Sequence, residues 1–272
     1  MKLQYLGTGS SEGVPAVFCD CDCCAKARAL GGKDIRTRSQ ALVDDTLLLD
    51  LPPDTYMHTL THNLQLFGIG HILITHSHSD HFYPAELAKC RPPFAGKNGH
   101  KLTVYGNDKV VEIVEQLFEQ DPELRDFCRV VELVPFQPVV IGNHTVTPLR
   151  ALHNRKEACL NYLVTDGQKS LLYAHDTGIF PEDTWEFLKG KKLSLVSLDC
   201  NHQFEADGKN HMGLPDNIVV RRRLEELGAA DSDTVFVANH FSHSGGRTHA
   251  EMEEAAASAG FITSCDGMTV CV

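Results

Sequence analysis

Thr75-His76-Ser77-His78-Ser79-Asp80-His81 follows directly on the apolar run Ile72-Leu73-Ile74, and puts three imidazoles and one carboxylate into the six residues 76–81. Imidazole and carboxylate are ligands of borderline divalent metals such as zinc, manganese, iron and nickel. An apolar strand that stops and turns here would splay those ligands at its carboxyl end, where the sites of α/β proteins tend to lie. The competing reading is a polar loop that happens to be rich in histidine. At these residue frequencies HxHxDH arises in roughly one such chain in a few hundred, which favours a metal site.

The same local pattern, an apolar strand followed by a ligand-type residue and a loop, recurs further along the chain. His153 follows the predicted strand His144–Leu149, Asp176 follows Ser170–Tyr173, and His240 follows Thr234–Ala238. A lone histidine at a strand end is more often a hydrogen-bonding loop residue than a ligand, so the weight rests on the joint pattern. Histidines at i and i+2 on a turn can converge on one ion, which assigns His76 and His78 to a first metal with His153. Asp80 and His81 face the other way and join His240 around a second metal. Asp176 is the natural carboxylate to bridge two cations roughly 3.5–4 Å apart. Its neighbour His175 should point to the opposite face and is read as a non-ligand.

No repeat, low-complexity segment or long linker divides the 272 residues, so a single domain over 1–272 is expected. Predicted strands are Leu3–Leu6, Gln40–Leu49, His71–Thr75, Leu102–Tyr105, Val130–Leu133, Val139–Ile141, His144–Leu149, Asn161–Thr165, Ser170–Tyr173, Leu195–Asp199, Thr234–Ala238 and Thr269–Val272. Asp166-Gly167 signals a hairpin. Predicted helices are Asp54–Leu66, Lys109–Glu119, Glu182–Leu188, Pro215–Leu227 and Thr248–Ala259, with Asn107 and Pro181 as starts and Gly228 and Gly260 as stops. In Pro215–Leu227 the residues Ile218, Val219, Leu224 and Leu227 are expected on one face. The strands are too numerous for a simple doubly wound sheet; two sheets covered outside by helices fit the order.

The net charge is −11 and Arg221-Arg222-Arg223 is the only basic triplet. It reads as a solvated helix face beside Glu225 and Glu226. Such a chain is a poor candidate for gripping long nucleic acid, whereas a small anionic substrate is compatible because bound cations supply local positive charge. No apolar run reaches the 18 residues or so of a membrane span, and the N-terminus lacks the apolar length of a secretory signal, so the chain reads as cytoplasmic. Of ten cysteines, Cys19, Cys21, Cys23 and Cys24 cluster, while Cys90, Cys128, Cys159, Cys200, Cys265 and Cys271 are scattered and read as small core residues.

His76-x-His78-x-Asp80-His81 with His153, Asp176 and His240 in that order resembles the metallo-β-lactamase superfamily. That resemblance implies a four-layer αββα sandwich of α/β (α+β) class. It also equates Asp50 with an acidic residue that orients a ligand rather than binding metal. Leu6-Gly7-Thr8-Gly9-Ser10-Ser11-Glu12-Gly13-Val14-Pro15 and Cys19-x-Cys21-x-x-Cys24 narrow the likeness, as do Leu198-Asp199-Cys200-Asn201-His202, Asn210-His211, His240-Phe241-Ser242-His243 and Asp266-Gly267-Met268. Together they are similar to the phosphoribosyl cyclic phosphodiesterases that accompany carbon–phosphorus lyase. The likeness implies two divalent ions at the active site and one structural zinc on Cys19, Cys21, Cys24 and His243. Cys23 stays open as a substitute for Cys24, and free thiols or a disulfide are the alternatives.

The implied reaction is attack of a hydroxide bridging the two metals on a small cyclic phosphodiester, either a ribosyl 1,2-cyclic phosphate or a 2',3'-cyclic nucleotide. His211 is the implied general acid and a homodimer the implied assembly; His202 is the weaker alternative for the acid and reads as a supporting residue. Asp80 counts among the catalytic residues as a ligand. Competing readings are a ribonuclease Z-like tRNA 3'-processing endonuclease and a non-catalytic metal-binding accessory protein. The first is opposed by the net charge and by the lack of a Gly/Pro/Lys-rich arm in Phe180–Leu214, the second by the complete ligand set. β-Lactam and thioester hydrolysis fit less well, because of Asp80 and because of the cysteine cluster with Asn210-His211.

Overall fold

Most strands of this chain read as continuous apolar runs, and the computed structural model, which describes residues 1–272, shows the reason: both sheets are covered on both faces. The first sheet contains β1 (Lys2–Gly7), β2 (Gln40–Val43), β3 (Leu47–Leu49), β4 (His71–Leu73), β5 (Leu102–Gly106), β6 (Cys128–Glu132) and β14 (Thr269–Cys271), in the order β14-β1-β2-β3-β4-β5-β6. The second contains β7 (Val139–Ile141), β8 (His144–Arg150), β9 (Leu160–Thr165), β10 (Ser170–Ala174), β11 (Leu195–Asp199), β12 (Val235–Asn239) and β13 (Ile262–Thr263), in the order β13-β12-β11-β10-β9-β8-β7. The helices are α1 (Asp22–Leu30), α2 (Thr55–Thr61), α3 (Asp108–Gln120), α4 (Glu182–Leu188), α5 (Leu214–Glu226) and α6 (His249–Ser258).

Strand periodicity sorts the apolar residues into three layers of core. Ala41, Val43, Leu171 and Tyr173 point between the sheets with Tyr5, Leu49, Tyr162 and Val237. Their alternates Leu172 and Ala174 face outward onto Trp185 and Leu188 of α4, Val220 and Leu224 of α5, and Met252 and Ala256 of α6. Leu42, Leu48, Ile72 and Val104 face the other way, onto Val110, Val114 and Phe118 of α3. The expected αββα sandwich is therefore the architecture, and the Asp166-Gly167 turn joins antiparallel β9 and β10.

Several elements differ from the sequence expectation. Gln40–Leu49 is a hairpin of two strands, because Asp44 and Asp45 both take positive φ (47° and 57°) and reverse the chain. The helix expected over Asp54–Leu66 ends at Thr61. α1 and β13 had no counterpart in the expectation; α1 carries only three buried residues and so no clear apolar period. On α5 the buried face is Leu214, Asn217, Val220 and Leu224, while Val219 is exposed. Of the arginine triplet only Arg222 is exposed: Arg221 pairs with Glu225 at 2.9 Å and lies over Phe236, and Arg223 pairs with Glu182 at 2.6 Å and lies over Trp185, so the expected solvated face is partly packed. Cys90, Cys128, Cys159 and Cys200 are buried, but Cys271 is exposed. No helix is long and apolar enough to cross a membrane.

Candidate metal centre and active site

Parallel strands deliver the polar residues to one edge. β3 and β4 run parallel, as do β10, β11 and β12, and each is followed or ended by a residue of the site: Asp50, the Thr75–His81 loop, Asp176, Asp199 and His240. Asp50, Asp176 and His240 each hold a left-handed backbone (φ 65°, 49° and 63°), which turns the chain sharply off the strand end. Non-glycine residues hold such angles at a cost, and that cost is concentrated at functional positions.

The loops are then tied to one another. Glu157 accepts hydrogen bonds from Ser77 N (3.0 Å) and Ser77 Oγ (2.9 Å), pinning the residue between His76 and His78. Gly178 N donates to Leu152 O and Ile179 N to Gly208 O, at 2.9 and 3.0 Å. A Cβ on Gly178 would lie 2.2 Å from Lys209 O, so only glycine lets the His211 loop close against the Asp176 loop.

Hydrogen bonds also orient the imidazoles. His81 Nδ1 donates to Asp50 Oδ2 (2.7 Å), which leaves Nε2 facing Asp80 Oδ2 at 3.4 Å and in close contact with Asp176 Oδ2. Asp50 Oδ1 also accepts from Thr75 N at 2.8 Å. His153 Nδ1 donates to Asn210 O (3.2 Å), leaving Nε2 toward His78 Nδ1 at 3.1 Å, room for one proton or one cation between them. Asp176 lies at the middle: its Oδ1 is 3.1 Å from His240 Nε2 and 3.7 Å from His153 Nε2. His175 turns away, bonding Ser197 Oγ at 2.7 Å.

Ligand-type atoms within mutual reach fall into three overlapping groups: His76, His78 and His153; His76, His81 and Asp176; and Asp176, Asp199, His211 and His240. His76 and Asp176 are thus shared between neighbouring groups. Asp80 touches His81 but belongs to none of the three. The donor set fits divalent cations on two counts. His76 Nε2 is buried without a hydrogen-bond partner, a costly state that a metal would relieve. Three carboxylates, Asp50, Asp80 and Asp176, also surround His81; burial alone would lower its pKa, but they raise it well above the ordinary value. That excess of negative charge calls for a proton or a cation.

His211 lies beside this cluster. Its Nδ1 donates to Asp199 Oδ2 at 2.9 Å, and Asp199 Oδ1 accepts from Asn201 N and Met212 N, each at 3.0 Å. Burial pushes the imidazole down, but the Asp199 carboxylate outweighs it and holds His211 up at about 9. Asp199 was present in the sequence as one more carboxylate ending an apolar strand, but its partner twelve residues on was not legible.

Four further residues form a separate group: Cys19, Cys21, Cys24 and His243 have ligand atoms within 4.8 Å of one another. Cys19 and Cys21 Sγ lie 3.5 and 3.4 Å from His243 Nδ1, and that hydrogen bond holds the Cys21 thiol down at about 6. Three thiols and an imidazole suit tetrahedral zinc. Cys23 instead packs with Val14 and Ala27 and points at Arg247 O.

A cavity of about 540 Å³ opens over the imidazole–carboxylate cluster and reaches His243, lined by thirteen residues with no hydrophobic side chain among them. Its wall joins His78, Asp80, His153, Asp176, His211 and His240 to Glu12, Asn201 and serines. Glu12 lies in the Leu6–Pro15 stretch that carries the resemblance, with no role of its own legible there. A second cavity of about 430 Å³, between α2 and the Pro84–Cys90 turn, is mostly apolar and contains none of the candidate ligands.

Residues 46–259 match the family described as "Beta-lactamase superfamily domain". The chain is 27% identical over 177 residues to a probable metallo-hydrolase, YhfI, of Bacillus subtilis (strain 168), covering 64% of this chain and 66% of that relative's length. Among solved structures it is similar to a diphosphatase from the PhnP family (TM-score 0.75, 23% identity, 99% and 96% of the two chains covered). It is also similar to zinc-bound PqqB from Methylobacterium extorquens (TM-score 0.77, 18% identity, both chains covered in full). With two helix-covered sheets, imidazoles and carboxylates gathered at one strand edge, and a family match over most of its length, the chain belongs to the beta-lactamase superfamily.

Proposed function

We propose that this chain is a metal-dependent hydrolase acting as a phosphodiesterase on a small cyclic phosphodiester, a ribosyl 1,2-cyclic phosphate or a 2',3'-cyclic nucleotide. The observation that carries the reading is His211, hydrogen-bonded to Asp199 and facing an all-polar cavity beside the imidazole–carboxylate cluster. Breaking a cyclic phosphodiester releases an alkoxide, which needs a proton. His211 holds one at neutral pH because Asp199 stabilises the imidazolium, and with Nδ1 committed to Asp199 the proton to be given sits on Nε2.

His76, His78, His81, His153, Asp80, Asp176 and His240 would hold two divalent ions, with Asp176 between them. Such ions, when bound, supply Lewis acidity toward phosphoryl oxygens and lower the pKa of a bound water. Asp50 and the Asn210 carbonyl do the orienting: by accepting the Nδ1 protons of His81 and His153 they direct both Nε2 lone pairs inward. Cys19, Cys21, Cys24 and His243 would hold one structural zinc. Because His243 stands three residues after His240, that zinc would stiffen the loop that carries an active-site ligand.

The likeness of the N-terminal and Asn210-His211 stretches to cyclic phosphodiesterases supports the reaction class. The charge of −11 argues against a tRNA-processing role. The test is turnover by zinc- or manganese-loaded protein of bis(p-nitrophenyl) phosphate, 2',3'-cyclic nucleotides, a ribosyl cyclic phosphate, a thioester and precursor tRNA. Hydrolysis of the cyclic diesters is expected; turnover of the thioester or the tRNA alone would overturn the reading.

A further inference from the structure

Glu157 belongs neither to the cavity wall nor to any group of candidate ligands. Its two carboxylate oxygens nevertheless reach both loops that supply His76, His78 and His153. Oε2 accepts from Ser77 N and from Asn107 Nδ2, each at 3.0 Å. Oε1 accepts from Ser77 Oγ at 2.9 Å and from Asn154 Nδ2 at 3.2 Å. These donors fill about the four acceptor positions that a carboxylate has, and bonds to an ionised acceptor are the strong kind. Nothing is left over for a cation, so this carboxylate organises the site from outside it.

Each donor either adjoins a candidate ligand or anchors the arrangement to the fold. Ser77 lies between His76 and His78, and Asn154 follows His153. Asn154 is itself held, because its Oδ1 accepts from Lys156 N at 3.0 Å, and its side-chain amide lies 3.2 Å from His78 Nε2. Asn107 is buried and serves two purposes. Its Oδ1 caps α3 by accepting from Val110 N at 2.9 Å, while its Nδ2 also donates to Ala158 O at 3.0 Å. The start of α3 is thus a fixed base from which Glu157 ties together two loops that lie 80 residues apart.

The bracket is one-sided. Its side-chain bonds go to Ser77, Asn107 and Asn154, next to His76, His78 and His153, and to none of the residues flanking Asp176 or His240. We propose that Glu157 is a positioning residue that holds His78 and His153 at the spacing of a single ion, 3.1 Å between His78 Nδ1 and His153 Nε2. This rests on the reading of the imidazole–carboxylate cluster as a two-metal site, and assigns the assembly of its first half to a residue that binds no metal.

The experiment titrates zinc-loaded wild type, Glu157→Gln and Glu157→Ala with chelators of graded strength and counts the zinc released per chain at each step. Glu157→Gln keeps the volume of the side chain but turns an amide donor toward one pair of its neighbours. The expected result is that one of the two ions outside the cysteine site binds about tenfold more weakly in Glu157→Gln, and about ten- to hundredfold more weakly in Glu157→Ala. The other ion and the cysteine zinc should move less than about threefold. General loosening of the fold would release the ions alike, so the difference between the two is the readout. Equal weakening of both ions, or no weakening of either, overturns the positioning role while the two-metal reading stands. A wild-type protein that holds no ion beyond the cysteine zinc would overturn the two-metal reading itself, and the positioning role with it.

Discussion

Replacing His211 by alanine isolates the proton donor from the rest of the site. The Asp199 carboxylate outweighs burial and raises the proton affinity of His211, favouring the imidazolium at neutral pH. The protonated imidazole is the acid, and its removal costs the contribution of general-acid catalysis, about a hundredfold or more in kcat. The loss should depend on the leaving group. An alkoxide leaving from a ribosyl cyclic phosphate needs the proton, whereas nitrophenolate leaves without one. The assay is kcat for both substrates with metal content measured on each sample. A large loss on the cyclic phosphate and a much smaller one on bis(p-nitrophenyl) phosphate are expected, with metal retained. The protonated form is the active one, so wild-type activity on the cyclic phosphate should fall as pH rises through the pKa of His211. Cations near Asp176 will draw that pKa down, placing the limb at or below pH 9. Equal losses on both substrates, or none on either, would remove His211 as the donor.

Cys24→Ser should abolish one tightly bound zinc per chain while Cys23→Ser keeps it, as read by zinc release to a colorimetric chelator; the reverse outcome would show that the wrong thiol has been chosen. Asp50→Asn exchanges the acceptor of His81 Nδ1 for a neutral amide and should weaken metal binding at the active site about ten- to hundredfold in a chelator titration, leaving the cysteine zinc in place. Acid should destabilise the fold through His58. Burial lowers its pKa from 6.5 to about 4, with Nδ1 donating to Gln40 Oε1 at 2.6 Å. The unfolded chain therefore takes up the proton first, and the neutral-His58 contribution is full above pH 6.5 and lost as pH falls toward 4. At most about 3 kcal/mol is at stake; urea midpoints for His58→Gln should depend less on pH across that window than those of the wild type.

The strand-end candidate ligands were legible because each is a local event, an apolar run broken by a histidine or aspartate, and the order of such events survives in the sequence. The helix α1 was not. Cys21-Asp22-Cys23-Cys24 shows ligand chemistry and no apolar period, so the segment reads as a loop. Yet the helix is what separates Cys24 from Cys23: successive side chains on it diverge by about 100°, sending one thiol toward His243 and its neighbour toward Val14 and Ala27. The hairpin at Asp44-Asp45 was missed for a related reason, since two aspartates inside a long apolar run gave no glycine to mark the turn.

Amino-acid order by itself determined the class of architecture, the chemical kind of the site and most residues that could supply it, because those depend on hydrophobic periodicity and on side-chain type within a few positions. Only the tertiary structure decided which ligand-type side chains come within reach of one another, that Asp199 holds His211, and that Glu12 faces the same cavity as residues more than 200 positions away. The distances that set charge, proton affinity and hydrogen-bond balance arise where strands from two packed sheets end side by side, and spacing along a chain carries no record of that convergence.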